Sequence, residues 1–81
     1  MSGTSSDRVV PERRAAFGRR LRLLREQAGL SQTAVAAAAG IDRSFYAEVE
    51  AAKHSITIDK VFLIADALGV PVVELFNGQA G

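Results

Sequence analysis

Apolar residues recur along this chain at helical spacing, in short bursts punctuated by glycine, proline and capping residues. Residues 1–10 are rich in Ser, Gly and Thr and show no period, so they read as a disordered N-terminal tail. Pro11 suits the first turn of a helix, in which Phe17, Leu21, Leu24 and Ala28 share one face. Arg13, Arg14, Arg19, Arg20 and Arg22 fall mostly off that face, and Gly29 closes the segment. Ser31 is a good N-cap for a second helix running to about Ala39, with Val35, Ala36 and Ala39 turned inward. Gly40 makes the turn, Ile41 plugs the core, and Asp42 caps a third helix through about Ala51, with Tyr46 and Val49 on its inner face. Thr57 caps a fourth, whose stripe is Ile58, Val61, Ile64, Ala65 and Leu68. Gly69 ends it, and Pro71 opens a short fifth helix ending near Asn77-Gly78. The pattern predicts one all-α domain of five helices over residues 11–78, without repeats.

Composition narrows the function classes. The 81 residues suffice for a single domain with a modest core. There is no cysteine, so neither disulfides nor thiolate metal sites enter, and His54 is a lone histidine without ligand partners. No metal or cofactor is expected. A glycine-rich phosphate loop and paired carboxylates are also missing, which argues against an enzyme. No apolar run approaches the roughly 20 residues of a membrane span, and no signal-peptide core precedes the domain. A cytoplasmic protein is the expectation. The net charge of +1 hides an asymmetry. Residues 1–40 carry seven arginines against Asp7, Glu12 and Glu26, whereas residues 41–81 carry Arg43, Lys53 and Lys60 against six acids. One basic face, or arginines that merely solvate the first helix, would produce that split.

The second and third helices joined by Gly40 form a helix-turn-helix pattern, in which the second member is presented to the DNA major groove. Arg43 and Ser44 occupy its first turn, where base edges are met. Arginine's fork matches guanine O6 and N7; a phosphate contact or plain solvation is the alternative for Arg43. Ser44 is either a base or phosphate contact or a small polar residue of the first turn. Ala47 and Glu48 share this outward face. Glu48 is the awkward member, because phosphates repel it unless it accepts from a cytosine amino group or pairs with Arg43 or another cation. Thr33, at the start of the second helix, is a candidate phosphate contact, as are Lys53, His54 and Ser55 in the loop after the third.

Leu21-Arg22-Leu23-Leu24-Arg25-Glu26, Gly29-Leu30-Ser31-Gln32, Ala36, Gly40-Ile41, Glu50 and Ala67-Leu68-Gly69-Val70-Pro71 together resemble the phage-repressor helix-turn-helix family, of the Cro or xenobiotic-response-element type. The resemblance covers about residues 13–77 and implies a compact lambda-repressor-like DNA-binding domain. Ile41-Asp42-Arg43-Ser44-Phe45-Tyr46 and Ser55-Ile56-Thr57-Ile58 are most similar to the controller proteins of restriction–modification systems. Those are single-domain dimers that regulate transcription. The resemblance implies double-stranded DNA as partner, an inverted-repeat operator, and RNA polymerase as a further candidate. It also implies that Gln32 contacts phosphate and that Arg25 and Glu50 form a structural ion pair. Phe45 stands where controller-like relatives commonly carry tyrosine, and touches a thymine methyl or the DNA backbone, without donating to a phosphate, or packs in the core. Ala51-Ala52 replaces a common Arg-Gly, so the third helix is expected to run longer and DNA affinity to be lower. Phe62, Leu63, Val72, Val73 and Phe76 are candidates for a self-complementary dimer patch. A protein-interaction module such as an antitoxin or adaptor is the rival reading. Glu48, Ala51 and the acidic second half favour it; Arg43, Gln32 and Lys53 favour DNA.

Overall fold

Each helix of the middle of the chain begins where a side chain can satisfy its first free N–H groups. The computed structural model describes the backbone of residues 2–77 and the side chains of residues 9–77. Its helices are α1 (Ser2–Gln27), α2 (Gln32–Ala39), α3 (Arg43–Glu50) and α4 (Ile58–Leu68), followed by a 3₁₀ turn at Val72–Phe76. Ser31, Asp42 and Thr57 cap α2, α3 and α4 by accepting from the backbone N–H of Ala34, Phe45 and Lys60. No strand occurs among the described residues.

Three boundaries differ from the sequence expectation. The helical backbone of α1 begins at Ser2 and runs through Pro11 instead of starting there. Pro11 has no N–H to donate to the carbonyl four residues earlier, and Val10, just before it, is exposed and borders the same apolar groove as Phe17. The fifth helix is instead the 3₁₀ turn, because five residues between Pro71 and Asn77 close bonds of the i to i+3 type, Glu74 N–H to Pro71 O at 2.9 Å among them. Gly78, at the expected end of the domain, lies outside the described residues.

The third difference is at the end of α3, which stops at Glu50 instead of running on. Ala52 takes φ 65°, the left-handed region, in the place where α2 uses Gly40 at φ 70°. Ala52 N–H bonds to Val49 O at 3.0 Å and Lys53 N–H to Glu48 O at 2.9 Å. Gly40 N–H to Ala37 O and Ile41 N–H to Ala36 O repeat the pattern at 3.2 and 3.0 Å. Both are Schellman endings, and α3 makes its ending without the glycine that relieves the strain.

The helices enclose one core. Phe17, Leu21 and Leu24 from α1 meet Val35, Ala36 and Ala39 from α2, Tyr46 and Val49 from α3, Val61, Ile64, Ala65 and Leu68 from α4, and Leu75 from the 3₁₀ turn. α2 packs on α3 and α4, while α1 packs on α3 and on the 3₁₀ turn. Two residues read as inward-facing are not: Ala28 follows the end of α1 and is exposed, and Ile58, the first residue of α4, is 70% exposed. Gly18 sets the approach of α1 to α3, since a Cβ there would run into the backbone carbonyl of Glu50. Arg20 ties α1 to the C-terminal turn through Glu74, bonding its carbonyl at 2.7 Å and its carboxylate at 2.8 Å.

Candidate nucleic-acid interface

α3 owes its orientation to two fully buried side chains on its inner face, Tyr46 and Val49. With those fixed inward, the 3.6-residue period turns Arg43, Ser44, Ala47 and Glu48 outward together. Arg43 and Ser44 are exposed; Ala47 and Glu48 are half-exposed. Among the described residues Arg43 forms no ion pair, so its guanidinium is available to a ligand. Asp42, directly before it, spends its carboxylate on the Phe45 N–H at 3.0 Å.

The buried end of α3 is held by Arg25 and Glu50. Arg25 Nε and Nη2 donate to the two Glu50 oxygens at 2.7 and 3.1 Å, and Nη1 donates to Leu30 O at 2.9 Å. Their side chains are 12% and 4% exposed. Burial alone would push the Glu50 carboxyl up, but the hydrogen bonds from Arg25 and its other neighbours prevail and hold it below the usual carboxylate value of 4.5. The hydrogen bond to Glu50 raises Arg25 against the opposing effect of its own burial. Tyr46 lies beside this pair, and its hydroxyl completes no hydrogen bond among the described residues. Burial, reinforced by the Glu50 carboxylate, pushes that phenol well above its ordinary range.

Gln32 joins the same network. Its Nε2 donates to Glu50 Oε1 at 3.0 Å, so the amide expected on a phosphate links α2 to α3. Thr33, next to it, is exposed. Glu48 pairs with His54, Nε2 to Oε1 at 2.9 Å, and not with Arg43. Lys53 and Ser55 flank His54 on the exposed loop. Phe45 is half-buried against the core; the His54 ring stacks on it at 5.7 Å between centroids, and Lys60 Nζ lies 4.6 Å from its centre.

Reading the sequence alone missed Gly18, Arg20 and Lys60. A glycine amid strong helix formers was a signal for Gly18. Nothing local marks Arg20 or Lys60, whose partners come from other elements. On α4 and the C-terminal turn Phe62, Leu63, Val73 and Phe76 are exposed and Val72 is half-buried, and the groove beside Phe62 and Phe76 reaches His54 and Ser55 of the loop after α3. Phe62 and Phe76 keep 50% and 48% of their surface in solvent, although Phe76 meets Phe17 at 5.3 Å. They border an apolar groove of about 640 Å³ that also takes in Ile56, Ile58 and Val61, with Arg13 and Arg14 among its walls.

Residues 16–76 match the family model described as a helix-turn-helix domain. The control protein C.MunI of Mycoplasma sp is 36% identical over 62 residues, which are 75% of this chain and 84% of that protein. The crystal structure of the restriction-modification controller protein C.AhdI from Aeromonas hydrophila matches with a TM-score of 0.77 and 38% identity, covering 78% of this chain and 96% of the other. With α2 and α3 meeting across Gly40 as the motif requires, this chain belongs to the helix-turn-helix domain family.

Proposed function

We propose that this chain is a sequence-specific DNA-binding regulator of transcription that lays α3 in the major groove. The observation that carries this reading is the two-sided character of α3. One side is locked by Tyr46, Val49 and the Arg25–Glu50 pair, and the other offers an unpaired Arg43 with Ser44 and Ala47. Arg43 reads a guanine edge, worth about 1–3 kcal/mol of discrimination in good bidentate geometry. Glu48, held by His54, is a weaker candidate for base reading than Arg43. Thr33, Lys53 and Ser55 grip the flanking phosphates together with the backbone N–H groups that open α2.

A single recognition helix reads few base pairs. The chain therefore acts as a homodimer through the exposed patch of Phe62, Leu63, Val72, Val73 and Phe76, on half-sites about 34 Å apart. Similarity to control proteins supports regulation of a restriction–modification system in the cytoplasm, with RNA polymerase as the partner at the promoter. None of the helices described is long and apolar enough to cross a membrane.

The test is the ratio of affinities for a duplex selected by the protein and for a random one, at near-physiological salt. Ratios of about 10³ or more are expected. Arg43→Ala should cut the ratio by about 5- to 100-fold for each half-site without lowering the melting temperature. A parent ratio near one would overturn the proposal and direct attention to a protein partner.

A further inference from the structure

Phe45 has two polar neighbours where a core aromatic normally has none. Lys60 Nζ stands 4.6 Å from the ring centre, and the His54 imidazole stacks on the ring at 17°. Lys60 belongs to the first turn of α4, while Phe45 belongs to the first turn of α3, beside Arg43 and Ser44. Among the described residues Lys60 forms no ion pair, even with the adjacent Asp59. Its charge is thus steadied by an aromatic face and left unneutralised. A ring can orient an ammonium without cancelling it, unlike a carboxylate.

We propose that Lys60 is a DNA-phosphate contact and that Phe45 is the positioning residue that aims it. This rests on the reading of α3 as the helix in the major groove. A phenyl ring has no donor for a phosphate, so the expectation that Phe45 itself touches the backbone gives way to an indirect role. A free lysine side chain would lose its rotational freedom on binding; docking on Phe45 incurs that loss beforehand. Of the nearby acids, Asp59 is exposed and forms no ion pair among the described residues, which lessens the attraction for an anion, while the acid on α3 is engaged. Glu48, the acid nearest along α3, is tied to His54 Nε2 at 2.9 Å. Lys60 then grips the backbone alongside α3 and helps set the depth at which Arg43 enters the groove.

Salt-dependent affinity for the selected duplex tests this with the full chain. Lys60→Gln should weaken binding to all sequences alike and reduce the slope of log affinity against log salt by about 1.8, one phosphate's worth from each protomer of the bound pair. Lys60→Arg should keep the parent slope. Phe45→Leu should reproduce the loss, and Phe45→Tyr, which retains the ring, should restore it. Lys60→Gln should add less in the Phe45→Leu background than in the parent. A parental slope in Lys60→Gln, or fully additive effects of the two changes, would overturn the proposal. Should Phe45→Leu fail to fold by circular dichroism, the Lys60→Gln and Lys60→Arg slopes decide alone. Arg43→Ala separates the two layers, since it should lose sequence preference yet keep the Lys60 dependence. A parent without salt-dependent DNA binding would overturn this proposal and the functional reading together.

Discussion

Arg25 and Glu50 are nearly sealed from water, and each satisfies the other's charge. Removing one leaves a buried charge, together with an unpartnered Gln32 amide or Leu30 carbonyl. Arg25→Ala should therefore destabilise the fold by about 3 kcal/mol in thermal melts, the low end for a buried pair. Its effect on DNA should follow from lost folding. The same pair sets an acid limit. Glu50 titrates lower in the folded chain than its ordinary 4.5, so its contribution is complete above that pH and fades as the pH falls through the folded value. Melting temperature against pH should drop below about 4.5, and the Glu50 share of that drop should vanish in Arg25→Ala. Ala52 offers the opposite kind of change. Left-handed backbone costs a non-glycine residue about 1–2 kcal/mol, and glycine's larger unfolded freedom offsets about 0.4–1 of the relief. Ala52→Gly should raise stability by about 0.5–1 kcal/mol, a gain of a few degrees in melting temperature. An unchanged or lower melting point would show that the strain at φ 65° is not real.

At the scale of the elements, what was legible in the sequence depended on where each helix finds its partners. α2 and α4 were bounded correctly because their signals are local: Ser31 and Gly40 bracket one, Thr57 and Gly69 the other. The end of α3 was misread because Ala52 occupies a conformation that composition assigns to glycine. The start of α1 was misread because Pro11 is as compatible with a helix start as with a helix that continues through it at the loss of one bond. The packing of α1 on α3 was illegible, since Gly18 matters only through the Glu50 carbonyl, far along the chain. Gly18→Ala tests that contact. Alanine favours helix over glycine by about 1 kcal/mol. If the approach is as close as described, overpacking should still make the variant less stable by about 1–3 kcal/mol. A more stable Gly18→Ala protein would mean that α3 sits further from α1. The outward face of α3 was legible because the helix is amphipathic: with Tyr46 and Val49 inward, Arg43, Ser44, Ala47 and Glu48 can only face out.

For the whole molecule, the proposed DNA face centres on α3 and the proposed self-association patch on α4 and the 3₁₀ turn. α3 and its loop carry Arg43, Ser44 and Lys53, α4 adds Lys60 in its first turn, and the rest of α4 with the 3₁₀ turn carries exposed Phe62, Leu63, Val73 and Phe76. Arg43 and Phe62, which share no contact among the described residues, should therefore be separable by substitution. Phe62→Glu should sediment as a monomer at tens of micromolar while keeping its helical spectrum, whereas the parent should sediment as a dimer. A monomeric parent would refute the proposed interface. The central claim, that α3 reads DNA sequence as one half of a two-fold pair, is tested most directly by selecting the purified protein against randomised duplexes at near-physiological salt. The account predicts an enriched inverted repeat, with half-sites about one helical turn apart and a guanine in each that Arg43→Ala no longer selects. A pool that stays random through repeated rounds, with only weak salt-sensitive retention, would contradict it.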